Sequence, residues 1–408
     1  MKTENSIAFE KLVSARPVLI GCRRAGKVIP GFRRNLILHS GPELEFGKMR
    51  GPHRKGVVGA ALYEGLARTA SEAEQMIENG EIELAAANDW NSGAPGSGIT
   101  SYSMAVLVVR EANSGIIATA PPIEGAQGGG LGGWGVYNEE VKTNLDRIAG
   151  SYAPLLDAAL AAIGGIDVVE LFSAGLQMGD EEHTRQVATD NLFFSKIFNG
   201  VDQIDAASEE KFRLLRFLQS CRRFVHHVGC ASAVASLKSA SGVAGATLVT
   251  AMCGNGVEFG IKTSGTGEQW FTAPAPVFNG HYFSPENGPA ESSPWLGDSS
   301  NVEAWGVGGM AAAAAPALLA MRGETLEQGI AQCREMARIT GGVNPHFAIP
   351  TLGECAPAGI LPERVVETGI TPKMHGGILS RTTGGQIGIG YARTPLDCFG
   401  KALSCFGR

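Results

Sequence analysis

The chain of 408 residues has a formal net charge of -6 and an isoelectric point of about 5.8, a balance that disfavours nucleic-acid binding. With 44% hydrophobic and 18% charged side chains it suits a soluble globular enzyme, and its length predicts two or three domains. Eight cysteines without a C-x-x-C pair argue against a zinc ribbon or a disulfide framework and fit a reducing cytoplasm.

The first residues, with Glu4 and Glu10 around a short apolar stretch, lack the order of a signal peptide, so no export is implied. From Cys22 to Lys55 nine basic side chains stand against two acidic ones, Glu43 and Glu45, with glycine and proline between them. This segment reads as successive tight turns presenting backbone N–H groups beside cations, an arrangement suited to small anions. Apolar residues at 58, 62 and 66 predict a helix over 57–66. A second helix follows, with Ser71 as N-cap, Glu74 closing a capping box and Gly80 ending it. Residues 81–86, 104–109 and 116–120 read as strands, and the polar, glycine-rich stretch 88–98 as a loop, either lining a site or merely connecting.

The run from Gly125 to Gly135 holds seven glycines but lacks the Lys-Ser/Thr of a Walker phosphate loop, and no chemistry is assigned to it. Helical periodicity then covers 153–163, 168–176, 181–198, 208–222 and 225–239. Strand-like runs return at 247–252, 257–262 and 269–273. They are followed by eighteen uncharged residues from Ala304 to Met321, a helix over 325–339 and a strand over 386–391. Eight alanines, three glycines and Pro316 make the uncharged stretch a buried helix rather than a membrane span. The fold class is therefore mixed α/β (α+β). An N-terminal α/β domain with basic turns is expected over 1–137, a helical domain over 138–241 and a C-terminal α/β domain over 242–408.

Three places attract chemistry. Asp180 and His183 stand three apart at a helix start, where they could share a proton or hold a divalent cation; capping by Asp180 is the structural alternative. Asn255-Gly256 reads as a hairpin turn, with Glu258 aimed either at solvent or into a pocket. His39 and His53 sit in Gly-Pro turns beside cations that would favour neutral rings able to accept a proton. His226, His227 and His346 lack polar company and read as core or surface residues. No metal-ligand spacing or dinucleotide fingerprint is present, which leaves the cofactor open.

The order of His39-Ser40-Gly41-Pro42, Met178-Gly179-Asp180-Glu181, Asn255-Gly256-Val257-Glu258-Phe259-Gly260, Trp270 to Pro276, Gly297-Asp298-Ser299 and Val366-Glu367-Thr368-Gly369 resembles a bacterial family long labelled a domain of unknown function. That family includes a subunit of oxamate carbamoyltransferase in anaerobic allantoin degradation. The chain departs from the family pattern in the glycine run after Gly125 and at Thr184. The resemblance implies a subunit of a multi-subunit transferase that converts oxalurate and phosphate to oxamate and carbamoyl phosphate, beside an acyl-CoA-synthetase-like partner. Such chemistry needs cations, N–H donors for an oxyanion and an acid for the leaving nitrogen. Arg23, Arg24, Arg54 and Lys55, with His39 and Asn255, are the candidates for anion binding. His53, His183, Asp180 and Glu258 are the candidates for catalysis. A homo-oligomer without membrane contact is expected. The alternatives are a scaffolding subunit without catalytic groups, or acyl transfer or hydrolysis on a related amide.

Overall fold

Short β-branched runs alternate with helical repeats along the chain, and the computed structural model of the protein, which describes residues 3–124 and 129–407, folds them into a mixed α/β architecture. The first strands are β1 (Pro17–Arg24), β2 (Leu36–His39), β3 (Glu83–Ala86), β4 (Ala105–Glu111), β5 (Ile117–Ala120) and β6 (Ile166–Asp167). The middle ones are β7 (Val249–Asn255), β8 (Glu258–Thr263), β9 (Phe271–Pro274), β10 (Asn279–Tyr282) and β11 (Leu296–Gly297). The chain closes with β12 (Thr340–Ile349), β13 (Glu354–Ile360), β14 (Lys373–Leu379) and β15 (Gln386–Arg393). Among the described residues these form sheets of order β5-β4-β1-β6, β11-β7-β8-β9 and β10-β15-β14, with the pairs β12-β13 and β2-β3 beside them.

The helix Phe224–Ser239 explains how the two larger sheets come together. Every residue from Phe224 to Leu237 is buried, as expected of a helix with apolar or small residues on all faces. Its Ser232 and Ser236 hydroxyls donate to the carbonyls of Val228 and Ser232 at 2.8 Å, so no polar group is left unsatisfied by burial there. It packs on β1, β4 and β5 on one side and on β7 and the helix Asn301–Trp305 on the other. Gly229 permits this approach, because a Cβ there would lie 2.7 Å from the Phe172 ring. The largest hydrophobic cluster runs through this helix and takes in Leu107, Phe172, Met252, Trp305 and Phe399. A second cluster lies around the helix Gly51–Tyr63.

Several sequence expectations change. Arg23 and Arg24 end strand β1 instead of lying in a turn, and His53, Arg54 and Lys55 belong to the helix Gly51–Tyr63. The following helix, Ala70–Glu78, is capped by Thr69, whose side chain accepts from Glu72 N, and not by Ser71. The helix expected from 181 begins at Val187, because Glu182 takes a left-handed φ of 72° and turns the chain. The uncharged stretch is buried as far as Ala315 but exposes Pro316, Ala317, Ala320 and Met321, and it is broken among Asn301–Trp305, a 3-10 segment Gly308–Ala314 and Pro316–Met321. Gly306 and Gly308, both at positive φ, and Pro316 supply the breaks. Among the described residues no helix is long and apolar enough to cross a membrane. Residues 125–128 of the glycine run lie outside the described residues.

Candidate active site

The loop before helix Val187–Gln203 is built around two carboxylates. Glu181 Oε1 accepts the N–H groups of His183 (3.2 Å), Thr184 and Arg185 (2.8 Å), and its Oε2 accepts from His375 Nδ1 at 3.1 Å. Burial alone would raise this carboxyl; the hydrogen bond from His375 and those from its own loop bring it below its ordinary value, while burial lowers His375 itself to about 4. Asp180 accepts from Arg185, from Val187 N (3.1 Å) and from Thr189 N (2.8 Å), and so caps a helix that starts seven residues downstream. Both its oxygens are thereby engaged. Asp180 and His183 are not the adjacent pair of one helical face that their spacing predicted.

What the loop delivers is His183. Its Nδ1 lies 2.8 Å from Glu303 Oε1, on the short helix Asn301–Trp305. The same oxygen accepts from Gly309 N and His375 N, each at 3.0 Å, so it acts as an acceptor and His183 Nδ1 carries the proton. In the neutral ring Nε2 is then the lone-pair nitrogen, on a buried side chain that lines a cleft. Burial pushes the Glu303 carboxyl upward, and its hydrogen bonds only partly oppose this.

The cleft is narrow, with about 40 Å³ of room. His183, Arg223, His226 and His227 line one part of it, and Trp295, Phe278 and Gly376 another. His226 stacks on His183 with ring centroids 5.1 Å apart. His227 Nδ1 donates to Pro121 O at 2.6 Å, so its Nε2 is also an acceptor. Burial, reinforced by the Arg223 charge, holds His226 well below the usual imidazole range, and burial holds His227 near 4; both rings are neutral at pH 7. Trp295 stacks on Phe278 at 5.1 Å and presents its edge to His183 at 6.0 Å. Gly133 and Trp134 close the cleft, their loop held by Glu124, which accepts from Leu131 N (2.8 Å) and Gly132 N (2.6 Å).

The remaining sequence candidates lie elsewhere. Arg23 pairs with Asp157 at 2.8 Å, and Arg24 donates to Ser103 O at 3.2 Å. Arg54 pairs with Glu74 at 3.1 Å and lies 3.9 Å over the Phe46 ring, while Lys55 donates to Thr382 O at 2.7 Å. Arg54 and Lys55 line a second, wider cleft with Tyr137 and Thr383. The four cations expected to form one clamp therefore do not converge, because β1 and the helix Gly51–Tyr63 carry them to different partners. His39 and His53 are buried with rings 4.8 Å apart. Burial, rather than neighbouring cations, lowers His39 to about 4 and His53 well below its ordinary value. Asn255 holds the β7–β8 turn, donating to Pro42 O and accepting from Val257 and Glu258 N–H. Glu258 is half-buried, accepts from Thr272 Oγ1 at 3.3 Å and shares a shallow cleft with His39. Among the described residues no group of three or more His, Cys, Asp and Glu side chains is placed to hold a metal ion.

Residues 82–299 match the family described as oxamate carbamoyltransferase subunit AllG, a stretch that contains His183, Arg223, His226, His227 and Trp295. AllG of Escherichia coli strain K12 is 34% identical over 406 residues, covering 98% of this chain and 96% of its own length. The chain belongs to the AllG family. The uncharacterized protein YahG of the same strain is 35% identical over 401 residues, which are 98% of this chain and 84% of YahG. A conserved protein of unknown function from Enterococcus faecalis V583 has a crystal structure that superposes with a TM-score of 0.95 at 32% identity, over 99% of this chain and 97% of that one. The AllG resemblance read from the sequence rests on Met178 to Glu181 among other motifs, and these residues form the loop behind His183. Arg223, Glu303 and His375 were not legible as site residues. Glu303 is 120 residues from His183 and His375 is 194 from Glu181, so no local spacing links them.

Proposed function

We propose that this chain is the substrate-binding, proton-handling subunit of a carbamoyltransferase that converts oxalurate and phosphate to oxamate and carbamoyl phosphate. The observation that supports this reading is the Glu303–His183 pair, which presents a lone-pair nitrogen to a small cleft containing one guanidinium. A phosphate oxygen attacks the terminal ureido carbonyl, forming the O–C bond. Collapse of the tetrahedral intermediate breaks the C–N bond to oxamate. His183 Nε2 takes the proton leaving the phosphate and gives it to the departing nitrogen, which leaves as a neutral amide. Glu303 fixes the tautomer and offsets the charge of the transient imidazolium. Partner subunits, among them an acyl-CoA-synthetase-like protein, complete the enzyme in this reading.

The test is product analysis by phosphorus NMR, with oxalurate and phosphate supplied to the reconstituted complex. Carbamoyl phosphate is expected; unchanged oxalurate in a properly assembled complex removes the reading. A finer test is Glu303→Gln. Glu303 Oε2 has no partner, so a glutamine can keep its oxygen on the three donors and place its NH2 at the Oε2 position. Geometry is retained and only the charge is lost, which predicts a fall in kcat of about 10-fold to 100-fold with assembly intact. Lost assembly with unchanged turnover per complex would favour a scaffolding subunit instead.

A further inference from the structure

We infer that this cleft is a half-site for a small planar monocarboxylate gripped by Arg223, and that the charge of phosphate is met outside it. The inference rests on the cleft being the substrate site proposed above. Arg223 adopts a left-handed φ of 67°, which a residue with a side chain rarely takes without a reason in its surroundings. It precedes the helix Phe224–Ser239, but that helix terminus already has its anion. Asp190 accepts from Arg223 N at 2.6 Å and from Val225 N at 3.1 Å. The guanidinium is therefore not spent on capping. Its Nη1 donates to Gln386 Oε1 at 3.3 Å and its Nη2 to His183 O at 3.2 Å, both neutral oxygens. Nε is buried without any partner, and among the described residues no carboxylate forms an ion pair with this side chain. A largely buried cation with an orphaned N–H is completed by an anion, and the planar fork fits a carboxylate edge.

Charge and shape narrow the ligand. Arg223 is the guanidinium lining this cleft and its charge is already partly offset by Glu181 and Asp190, which suits a monoanion better than a phosphate dianion. The Trp295–Phe278 stack forms a flat wall, and a Cβ on Gly376 would come within 3.1 Å of both rings. Room of about 40 Å³ corresponds to roughly three waters, which restricts the ligand to a small one.

The experiment is calorimetric titration of the isolated full chain. Oxamate is expected to bind, its uncharged analogue oxamide to fail, and inorganic phosphate to leave oxamate binding unchanged. Arg223→Gly places at the left-handed position the residue best suited to it, so the Tm should hold or rise while oxamate affinity falls on the order of 100-fold. Arg223→Lys keeps the charge without the fork and should lose on the order of 10-fold. Absent oxamate binding, equal affinity in both variants, equal binding of oxamide, or competition by phosphate at similar affinity would each overturn the proposal. Arg223-dependent oxamate binding by a complex that transfers no carbamoyl group would sink the proposed reaction and leave this site standing.

Discussion

His183→Asn is expected to lower kcat for carbamoyl transfer by about 100-fold to 10,000-fold while oxamate affinity and assembly stay near wild type. Asparagine can still donate toward Glu303, so the loop keeps its anchor, but it has no nitrogen that accepts and returns a proton at neutral pH. The contrast with Glu303→Gln is informative. One variant deletes the proton carrier, the other only the charge behind it, and the first loss should exceed the second. Single-turnover measurements on the assembled enzyme separate the chemical step from binding. Wild-type turnover in the asparagine variant would remove His183 from the mechanism.

Glu181→Gln is expected to lower folding stability at pH 7. The carboxyl is held below its ordinary 4.5 in the fold by the hydrogen bonds from His375 and from its own loop. Because the folded value is depressed, the stabilisation is complete above pH 4.5 and is lost as the pH falls through the folded value. Urea unfolding of wild type and variant between pH 7 and pH 3 should therefore converge from the wild-type side. A gap that stayed constant over that range would locate the difference in packing and not in the anion. Three successive N–H groups point at Oε1, and a glutamine oxygen serves them without the charge-assisted strength. Since His183 lies inside this turn, weakening it should also reduce turnover.

Much of the helical framework was legible from periodicity alone. The expected helices at 153–163 and 208–222 appear as Ala153–Ala162 and Ser208–Ser220, because their apolar stripes face one packed core. Strand β1 was hidden: Val18, Leu19 and Ile20 lead into Cys22-Arg23-Arg24, and the charges drew the reading toward a turn. The arginines are tolerated at the strand end because one meets Asp157 and the other a carbonyl. The segment 178–186 misled for a different reason. Carboxylates near a helix start usually serve its dipole, yet here Glu181 gathers the N–H groups of its own loop and a histidine from β14. His226 and His227 looked apolar in company because their functional neighbours arrive from other elements. The resemblance to the AllG family supplied what spacing could not, namely the class of chemistry, but not the residues that meet in the cleft.

Trp134, His183, Arg223, Trp295 and Gly377 reach the cleft from five stretches spread over more than half the polypeptide. Contacts of such long sequence separation slow folding, because the chain between them must be ordered before they are made. A nascent or truncated chain can thus hold most of its helices and still have no ligand affinity.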